Sequence, residues 1–448
     1  MNHATAVPRG TLFVTLPAAA LLALTVLAPA TAVSAAGETC QGRPATHVGS
    51  PQTARITGTE GADVIVTNGA LGVDALGGDD VICVTVHGNQ VFAGAGDDLV
   101  DAASLGEFGA QARLGTGSDR FIGGPGFDVV WGGDEDGLGT ADTEPDVIET
   151  GTPTSGSAHD LVRTGQPGQP NGDVVRMGLG SVSWAGTPTS TTVLDGGAGS
   201  TLAMTLDETD AVRVDNAAGT MSTEGQPTLS FTGFAGFFLL APRGPRSFAF
   251  VGSDRDETLE TQFWRASGPS DVSMGGGDDE VHVHSYDTPA IPGGASYEAG
   301  PGRDLLRLTL PDEVDADLDL GRGRLALGAG RDEVAVRAGG FEDATVMAAD
   351  VEVVGTSGRN DVSVYACRSR VDVRGGKDRA STFDQVMDEG LRCSDVRARF
   401  TGGGGNDTLA GSRGRDILLG GPGKDLVDGR AGRDVCQGER LRKCEFRR

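Results

Sequence analysis

Residues 402–437 read GGGGNDTLA-GSRGRDILL-GGPGKDLVD-GRAGRDVCQ, which are four consecutive nine-residue repeats in unbroken register. Positions one and four of every repeat are glycine, and position six is aspartate, namely Asp407, Asp416, Asp425 and Asp434. Position eight is apolar, with Leu409, Leu418, Val427 and Cys436. Glycine adopts turn conformations that other residues resist, and one apolar residue per repeat suits one short strand with a single inward side chain. This fixed period indicates a solenoid of stacked units.

The four repeats resemble the hemolysin-type, or RTX, calcium-binding repeat family, whose pattern is G-G-x-G-x-D-x-U-x with U a large aliphatic residue. The resemblance implies a parallel β-roll in which residues one to six turn around calcium, the last three form a strand, and two repeats complete one coil. Calcium prefers oxygen ligands such as carboxylates and backbone carbonyls, and an aspartate on a glycine turn offers both. The alternative is a metal-free solenoid that uses Gly-Asp only as turn chemistry.

Five looser copies of the pattern lie upstream, and spacings near one or two repeats separate them. In each copy an apolar residue follows two positions after the position-six aspartate. Calcium ligands are therefore also predicted here, at Asp63, Asp80, Asp98, Asp119 and Asp128.

The central part of the chain keeps only scattered turns of this kind, separated by alternating runs such as VRVDN, SFAFVG and EVHVHS that predict strands. Two degenerate turns place Glu257 and Asn360 at position six, where both are doubtful ligands. The remaining calcium ligands predicted in this region are Asp279, Asp304 and Asp332.

These patterns predict an all-β fold, a parallel β-roll or right-handed β-helix solenoid with Gly/Asp-rich calcium-binding turns. We expect a signal peptide at 1–35, then an N-terminal cap with degenerate repeats at 36–150. A central solenoid with irregular coils of about 22 to 28 residues follows at 151–350. The last segment, 351–448, is predicted to be a β-roll that contains the four repeats at 402–437 and a disulfide cap.

The six cysteines form an even set, which favours disulfides in an exported chain. Because each coil of a solenoid touches only its neighbours, we expect partners close in sequence: Cys40 with Cys83, Cys367 with Cys393, and Cys436 with Cys444. The segment GERLRKC at 438–444 is too polar to continue the repeat pattern. We expect it to fold back across the open end of the roll.

Arg9, an apolar run at 12–28 and small residues at 30–36 together indicate a secretory signal peptide with cleavage after Ala35 or Ala36. An uncleaved membrane anchor is the alternative. No later stretch has the length needed to cross a bilayer. The mature protein is therefore expected to be secreted and extracellular, without a membrane span.

Acidic residues outnumber basic ones by 63 to 37, for a formal net charge of −26. This balance argues against nucleic acid as a partner, because phosphates require a positive surface. Calcium is the predicted partner and cofactor, and an extracellular polysaccharide or a cell surface is a further candidate.

No catalytic motif accompanies the repeats, so we predict that the protein is not an enzyme. The sequence lacks H-E-x-x-H, which a zinc protease of the serralysin type requires, and the G-x-S-x-G of ordinary lipases. His282 and His284 alternate along one predicted strand and face the same side, either as a metal pair or as surface positions.

Two alternative functions remain open. A polysaccharide lyase or epimerase on a β-helix could use carboxylates and a basic residue on one sheet face, and the candidates are Asp254, Asp256, Glu257, Glu260 and Arg265. An acidic adhesin or matrix protein is equally compatible with calcium binding.

Overall fold

The computed structural model describes residues 37–447 except for 87–89, 134–141, 153–158, 207–210, 243, 264–267, 286–290, 330–331, 383–392 and 394. The predicted signal peptide and Arg265 lie outside the described residues. All regular secondary structure in the described part is β-strand. This part contains no helix long and apolar enough to cross a membrane.

The strands are short and follow one another along the chain. The first eighteen are β1 Thr39–Cys40, β2 Arg43–Pro44, β3 His47–Val48, β4 Ile56–Thr57, β5 Val64–Val66, β6 Gly72–Asp74, β7 Val81–Cys83, β8 Gln90–Ala95, β9 Leu99–Asp101, β10 Gln111–Thr116, β11 Arg120–Ile122, β12 Val129–Trp131, β13 Val147–Glu149, β14 Asp160–Thr164, β15 Pro170–Asn171, β16 Val174–Arg176, β17 Gly180–Trp184 and β18 Thr187–Pro188.

The strands are longer in the centre of the chain. They are β19 Val193–Thr205, β20 Ala211–Asp215, β21 Thr220–Thr223, β22 Leu229–Ala241, β23 Ser247–Val251, β24 Thr258–Phe263, β25 Ser270–Ser273, β26 Glu280–Ser285, β27 Ser296–Glu298, β28 Leu305–Thr309, β29 Asp315–Asp319, β30 Arg324–Ala329, β31 Asp332–Gly339, β32 Asp343–Met347 and β33 Asp350–Val354.

Towards the C-terminus the strands shorten again. They are β34 Asp361–Tyr365, β35 Arg368–Asp372, β36 Gly375–Gly376, β37 Arg379–Thr382, β38 Arg397–Thr401, β39 Gly404–Gly405, β40 Thr408–Ala410, β41 Ile417–Leu419, β42 Leu426–Asp428, β43 Val435–Gln437, β44 Arg440–Arg442 and β45 Phe446–Arg447.

Parallel pairing between strands of successive coils generates the solenoid. In the C-terminal repeats, β40 pairs in parallel with β42, and β41 pairs in parallel with β43. The residues that correspond in successive coils here are 18 apart, as for Asp407 and Asp425. Two nine-residue repeats therefore complete one coil, and the predicted all-β parallel solenoid is confirmed.

One continuous hydrophobic core fills the inside of the coils, because alternate residues of each strand point inward. The four position-eight residues of the C-terminal repeats are all 0% exposed. In the centre, phenylalanines fill the coils, and Phe237 packs edge-to-face against Phe231 and Phe250. Large rings thus occupy the core where the strands are longer.

The central coils match the predicted irregular lengths in part. The separation between corresponding residues is 22 from Glu257 to Asp279 and 25 from Asp279 to Asp304, within the expected range. The next step, from Asp304 to Glu342, is 38 residues. It is longer because the antiparallel pairs β29–β30 and β30–β31 are inserted in that coil.

The predicted coil turn at Asp332 is wrong. In the structure Asp332 pairs with Ala329 at the junction of the antiparallel strands β30 and β31. Gly328 lies in β30 of this antiparallel pair. The sequence signals of a hairpin overlap with those of a coil turn. The Asp332 side chain lies outside the described part of the structure.

The prediction that residues 438–444 fold back across the open end is also wrong, because the chain instead adds a further coil. Strand β44 pairs in parallel with β42, which places Leu441 opposite Val427. A strand on one wall of the core needs only its inward residue to be apolar, so Arg440 and Arg442 can face solvent.

All three predicted disulfides are present: Cys40–Cys83, Cys367–Cys393 and Cys436–Cys444. The first ties the antiparallel pair β1–β2 to the first coils, and the last joins the additional terminal coil to the one before it. Each bridge links segments that are neighbours in the stack.

Candidate calcium sites in the aspartate columns

Acidic side chains at the starts of successive strands form columns along the solenoid. In a column, a carboxylate oxygen of one residue accepts a hydrogen bond from the backbone N–H of the corresponding residue one coil earlier. Asp425 Oδ1, for example, lies 2.9 Å from the backbone nitrogen of Asp407. The side chain thus spans two coils and is fixed by the main chain.

Three columns are present in the described part of the chain. The N-terminal column consists of Asp63, Asp80, Asp98, Asp119, Asp146 and Asp173. The long column consists of Glu257, Asp279, Asp304, Glu342, Asn360, Asp378, Asp407, Asp425 and Glu439. At one step of this column, the Asn360 amide instead donates to the backbone carbonyl of Glu342. The C-terminal column consists of Asp416, Asp434 and Glu445. Asp128 and Asp160 make the same contact as a pair.

The second carboxylate oxygen of most of these aspartates is buried without a hydrogen-bond partner among the described residues. This holds for Oδ2 of Asp80, Asp98, Asp119, Asp128, Asp146, Asp279, Asp304, Asp378, Asp407, Asp425 and Asp434. An unpaired buried oxygen costs free energy, so rows of them indicate a missing partner.

The position-one glycine makes room for this second oxygen. A Cβ atom at Gly420 would lie 2.4 Å from Asp425 Oδ2, and one at Gly411 would lie 2.4 Å from Asp416 Oδ2. In these two repeats a larger residue at position one would therefore collide with the carboxylate. Other column members tolerate a side chain at this position, as Ala75 does before Asp80.

Burial and like charge act together on the N-terminal column. Burial, with Asp119 and Asp80 nearby, raises the pKa of Asp98 to about 8. For Asp146, burial and the carboxylates of Asp173 and Asp119 raise the pKa to about 10. Burial also raises the pKa of Asp128 and Asp279 to about 7 each. These carboxyl groups therefore keep their protons to a higher pH than an ordinary aspartate does.

The donor set fits a hard divalent cation. Carboxylate oxygens point into a buried space that glycine turns line, and those turns bring backbone carbonyls of adjacent coils close together. A Cβ at Gly402, for instance, would lie 2.6 Å from Asp407 Oδ2 and 2.6 Å from the carbonyl oxygen of Gly420, so both kinds of oxygen lie beside the same glycine. Calcium accepts this mixture of carboxylates and carbonyls. It would neutralise the column and provide the partner that each Oδ2 lacks.

Eleven of the twelve predicted aspartate ligands lie in the columns or in the Asp128–Asp160 pair, and the twelfth, Asp332, is placed in strand β31. In two of the eleven, the second carboxylate oxygen has a hydrogen-bond partner. Asp63 Oδ2 accepts hydrogen bonds from the backbone and hydroxyl of Thr59, and Asp416 Oδ2 accepts one from the backbone of Ser412.

Sequence reasoning missed four aspartates, namely Asp146, Asp160, Asp173 and Asp378. None of their repeats has glycine at both position one and position four, although Gly168 precedes Asp173 at position one and Gly376 precedes Asp378 at position four. A shorter signal, an aspartate two residues before an inward aliphatic or alanine residue, would have found all four. The doubtful positions Glu257 and Asn360 both lie in the long column, where the Asn360 amide donates to the carbonyl of Glu342.

The four described candidate lyase residues do not share one face. Glu257 is buried in the long column, where Asn216 and Ser253 donate hydrogen bonds to it. Asp254 and Asp256 are exposed on the preceding turn, and Glu260 lies on β24 beside His282.

Comparison with known families agrees with this geometry. The model of the RTX calcium-binding nonapeptide repeat matches the chain in four copies, at residues 114–136 and 401–436. These ranges include members of the N-terminal, long and C-terminal columns. No curated protein matches the chain.

Proposed function

Since the chain carries RTX calcium-binding nonapeptide repeats, we propose that it is an exported protein whose calcium ions are structural. The ions would lie in the aspartate columns and join neighbouring coils. The protein would use them to order and stiffen a rod outside the cell, and would not catalyse a reaction.

The observation that carries this proposal is the row of buried, unpartnered Oδ2 atoms. Adjacent coils are about 4.8 Å apart, and two ionised carboxylates at that distance repel by roughly 3 kcal/mol at an effective dielectric of 20. A bound dication would replace this repulsion with attraction between coils. Its removal would therefore weaken the stack.

Export is supported by the N-terminal sequence and by the three disulfides, which form and persist in oxidising compartments. Extracellular calcium is abundant enough to occupy millimolar sites. Calcium would then complete the fold after export. N-terminal sequencing of the protein recovered from culture medium tests this, with cleavage after Ala35 or Ala36 expected and an intact N-terminus contradicting it.

Thermal unfolding of the mature protein tests the structural role of calcium. We expect calcium to raise the melting midpoint, because its ligands come together only in the folded coils. A single site at tenfold its Kd adds about 1.4 kcal/mol to the free energy of unfolding. Identical melting curves in chelator and in millimolar calcium would exclude this role.

Enzyme assays test the non-catalytic part of the proposal. We expect no cleavage of pectate or alginate by the calcium-loaded protein. Cleavage that is lost in Arg265→Ala, with calcium-dependent melting unchanged, would show that the protein is a polysaccharide lyase instead.

A further inference from the structure

A second cluster of ligand-type side chains lies away from the turns, on the outer face of the sheet. Strands β24 and β26 pair in parallel, with Glu260 opposite His282 and Gln262 opposite His284. Residues two apart on a strand face the same side. The outer face therefore carries Glu260, His282 and His284. Val281 and Val283, which alternate with the two histidines along β26, are buried in the core.

The distances within this cluster suit a metal ion. One ligand atom from each of Glu260, His282 and His284 lies within 4.8 Å of the others. His284 Nε2 is 3.4 Å from Glu260 Oε1, and His282 Nδ1 is 3.9 Å from Glu260 Oε2. Bonds of about 2.0–2.1 Å in a tetrahedron place ligand atoms roughly 3.3 Å apart. Small side-chain rotations would close the site.

Two further residues hold the ligands in place. His282 Nε2 lies 2.6 Å from Glu280 Oε1, although the ring N–H is not well aligned for a hydrogen bond. Arg307 Nε donates to the same oxygen of Glu280 at 2.6 Å. A carboxylate beside the second nitrogen of a ligating histidine fixes which nitrogen binds the metal. Here it leaves Nδ1 of His282 directed at Glu260.

The chemistry of this cluster differs from that of the columns. Two imidazoles and one carboxylate suit zinc and similar transition metals, whereas calcium takes oxygen ligands almost alone. The four acidic and histidine side chains are partly buried, with 17–29% of their surface exposed. Bound metal would thus keep an accessible side.

From this geometry we propose that Glu260, His282 and His284 form a zinc-class divalent metal site, separate from the calcium columns. Glu280 and Arg307 are positioning residues. The three protein ligands leave a fourth coordination position for water or for an anionic ligand from outside.

Zinc titration of the mature, metal-stripped protein in saturating calcium tests this site, since calcium then occupies the columns. We expect one zinc equivalent to bind by isothermal calorimetry, and cobalt substitution to give the visible absorption of a tetrahedral ion. His282→Ala and His284→Ala should each remove this binding. Glu280→Gln should weaken it about 10- to 100-fold, since loss of such a partner has that effect.

His159→Ala is the matched control, because His159 is an exposed histidine outside the cluster, and it should bind zinc like the wild type. Calcium-dependent melting of every variant reports whether the solenoid remains folded. The proposal is overturned if zinc does not bind in saturating calcium. It is equally overturned if the cluster variants fold and bind zinc as His159→Ala does, or if Glu260→Gln leaves the affinity unchanged.

Discussion

The aspartate at position six has two separate roles, one for each carboxylate oxygen. Oδ1 of Asp425 accepts the backbone N–H of Asp407, and Oδ2 is free to bind a cation. Asparagine retains the first role and loses the charge needed for the second. Asn360, the uncharged member of the long column, is held differently: its Oδ1 accepts the backbone N–H of Thr356, and its amide donates to the carbonyl of Glu342.

Asp425→Asn should therefore reduce calcium-dependent stability with little effect in chelator. At tenfold the Kd of the lost site, the gain from calcium should fall by about 1.4 kcal/mol. Asp425→Ala also leaves the Asp407 N–H unpaired, which costs about 1–3 kcal/mol in chelator as well. Urea unfolding with and without calcium separates the two effects. Asp271→Asn, on the exposed face of β25, is the control, and an equal calcium gain in both asparagine variants would contradict the assignment.

Adjacent glycines in the first C-terminal repeat should differ sharply in tolerance to alanine. Gly405 has φ of +147°, and a Cβ there would lie 1.5 Å from the carbonyl oxygen of Gly376. A Cβ at Gly404 would meet nothing within 4 Å. We expect Gly405→Ala to cost about 1–3 kcal/mol or more, and Gly404→Ala to stay within about 0.5 kcal/mol of wild type. Chemical denaturation measures both, and equal costs would refute the close approach of coils.

At the scale of the element, the columns couple stability to pH. Burial and neighbouring carboxylates raise the pKa of Asp98 to about 8, and burial with nearby carboxylates raises that of Asp119 to about 7. Because these pKa values exceed the ordinary value of 3.8, the protonated carboxyl groups stabilise the folded state. This contribution to the free energy of unfolding is complete below about pH 4. It is lost as pH rises through 7 to 8.

In chelator we therefore expect the melting temperature to fall between pH 5 and pH 8. Calcium competes with protons for the same oxygens, so its stabilising effect should be larger at pH 8 than at pH 5. Scanning calorimetry at both pH values, with and without calcium, measures this difference. A calcium effect that is larger at pH 5 would be inconsistent with carboxylate ligands in the columns.

The last disulfide should stabilise mainly the terminal coil. Replacing Cys436 and Cys444 together by alanine should cost about 2–3 kcal/mol, since the bridge closes a short loop. The loss should appear first as faster amide exchange in β45, where the Phe446 N–H bonds to the Asp434 carbonyl. Peptide mapping of the non-reduced wild type is the companion test. A free Cys436 thiol, or a different partner for it, would disprove the bridge.

Elements with a strict repeat were predictable from sequence, and elements without one were not. The repeats at 402–437 predicted the coil length and the inward residues correctly, and their four position-six aspartates lie in the columns, because every position of the repeat has one physical task. The hairpin at Asp332 and the additional coil at Leu441 were mispredicted. In both places a nine-residue window holds too few constrained positions to distinguish a coil from a hairpin or a cap.

At the scale of the whole molecule, the parallel pairing of successive coils extends the effect of bound calcium beyond a single turn. Each coil contacts only its neighbours, so stability accumulates from coil to coil. A column therefore affects the stack along its whole length and not only one turn. The sequence pattern predicted this architecture but not the continuity of the long column. That continuity depends on Asp378 and Glu342, whose turns keep glycine at position four but not at position one.

The cluster of Glu260, His282 and His284 on β24 and β26 could be predicted only in part from the sequence. The sequence paired His282 with His284, but Glu260 is 22 residues away from His282 and joins them only because the strands pair in register. The parallel pairing keeps this register although coil lengths vary, for example 17 residues from Asp63 to Asp80 and 18 from Asp80 to Asp98.

Calcium in the columns can be observed directly in the anomalous difference map of a crystal grown in calcium at neutral pH. We expect calcium peaks in the columns, beside Oδ2 of Asp98, Asp119, Asp407 and Asp425, with carbonyl oxygens of the glycine turns as additional ligands. Columns that contain only water or hydrogen-bonded carboxylic acids under these conditions would contradict this expectation.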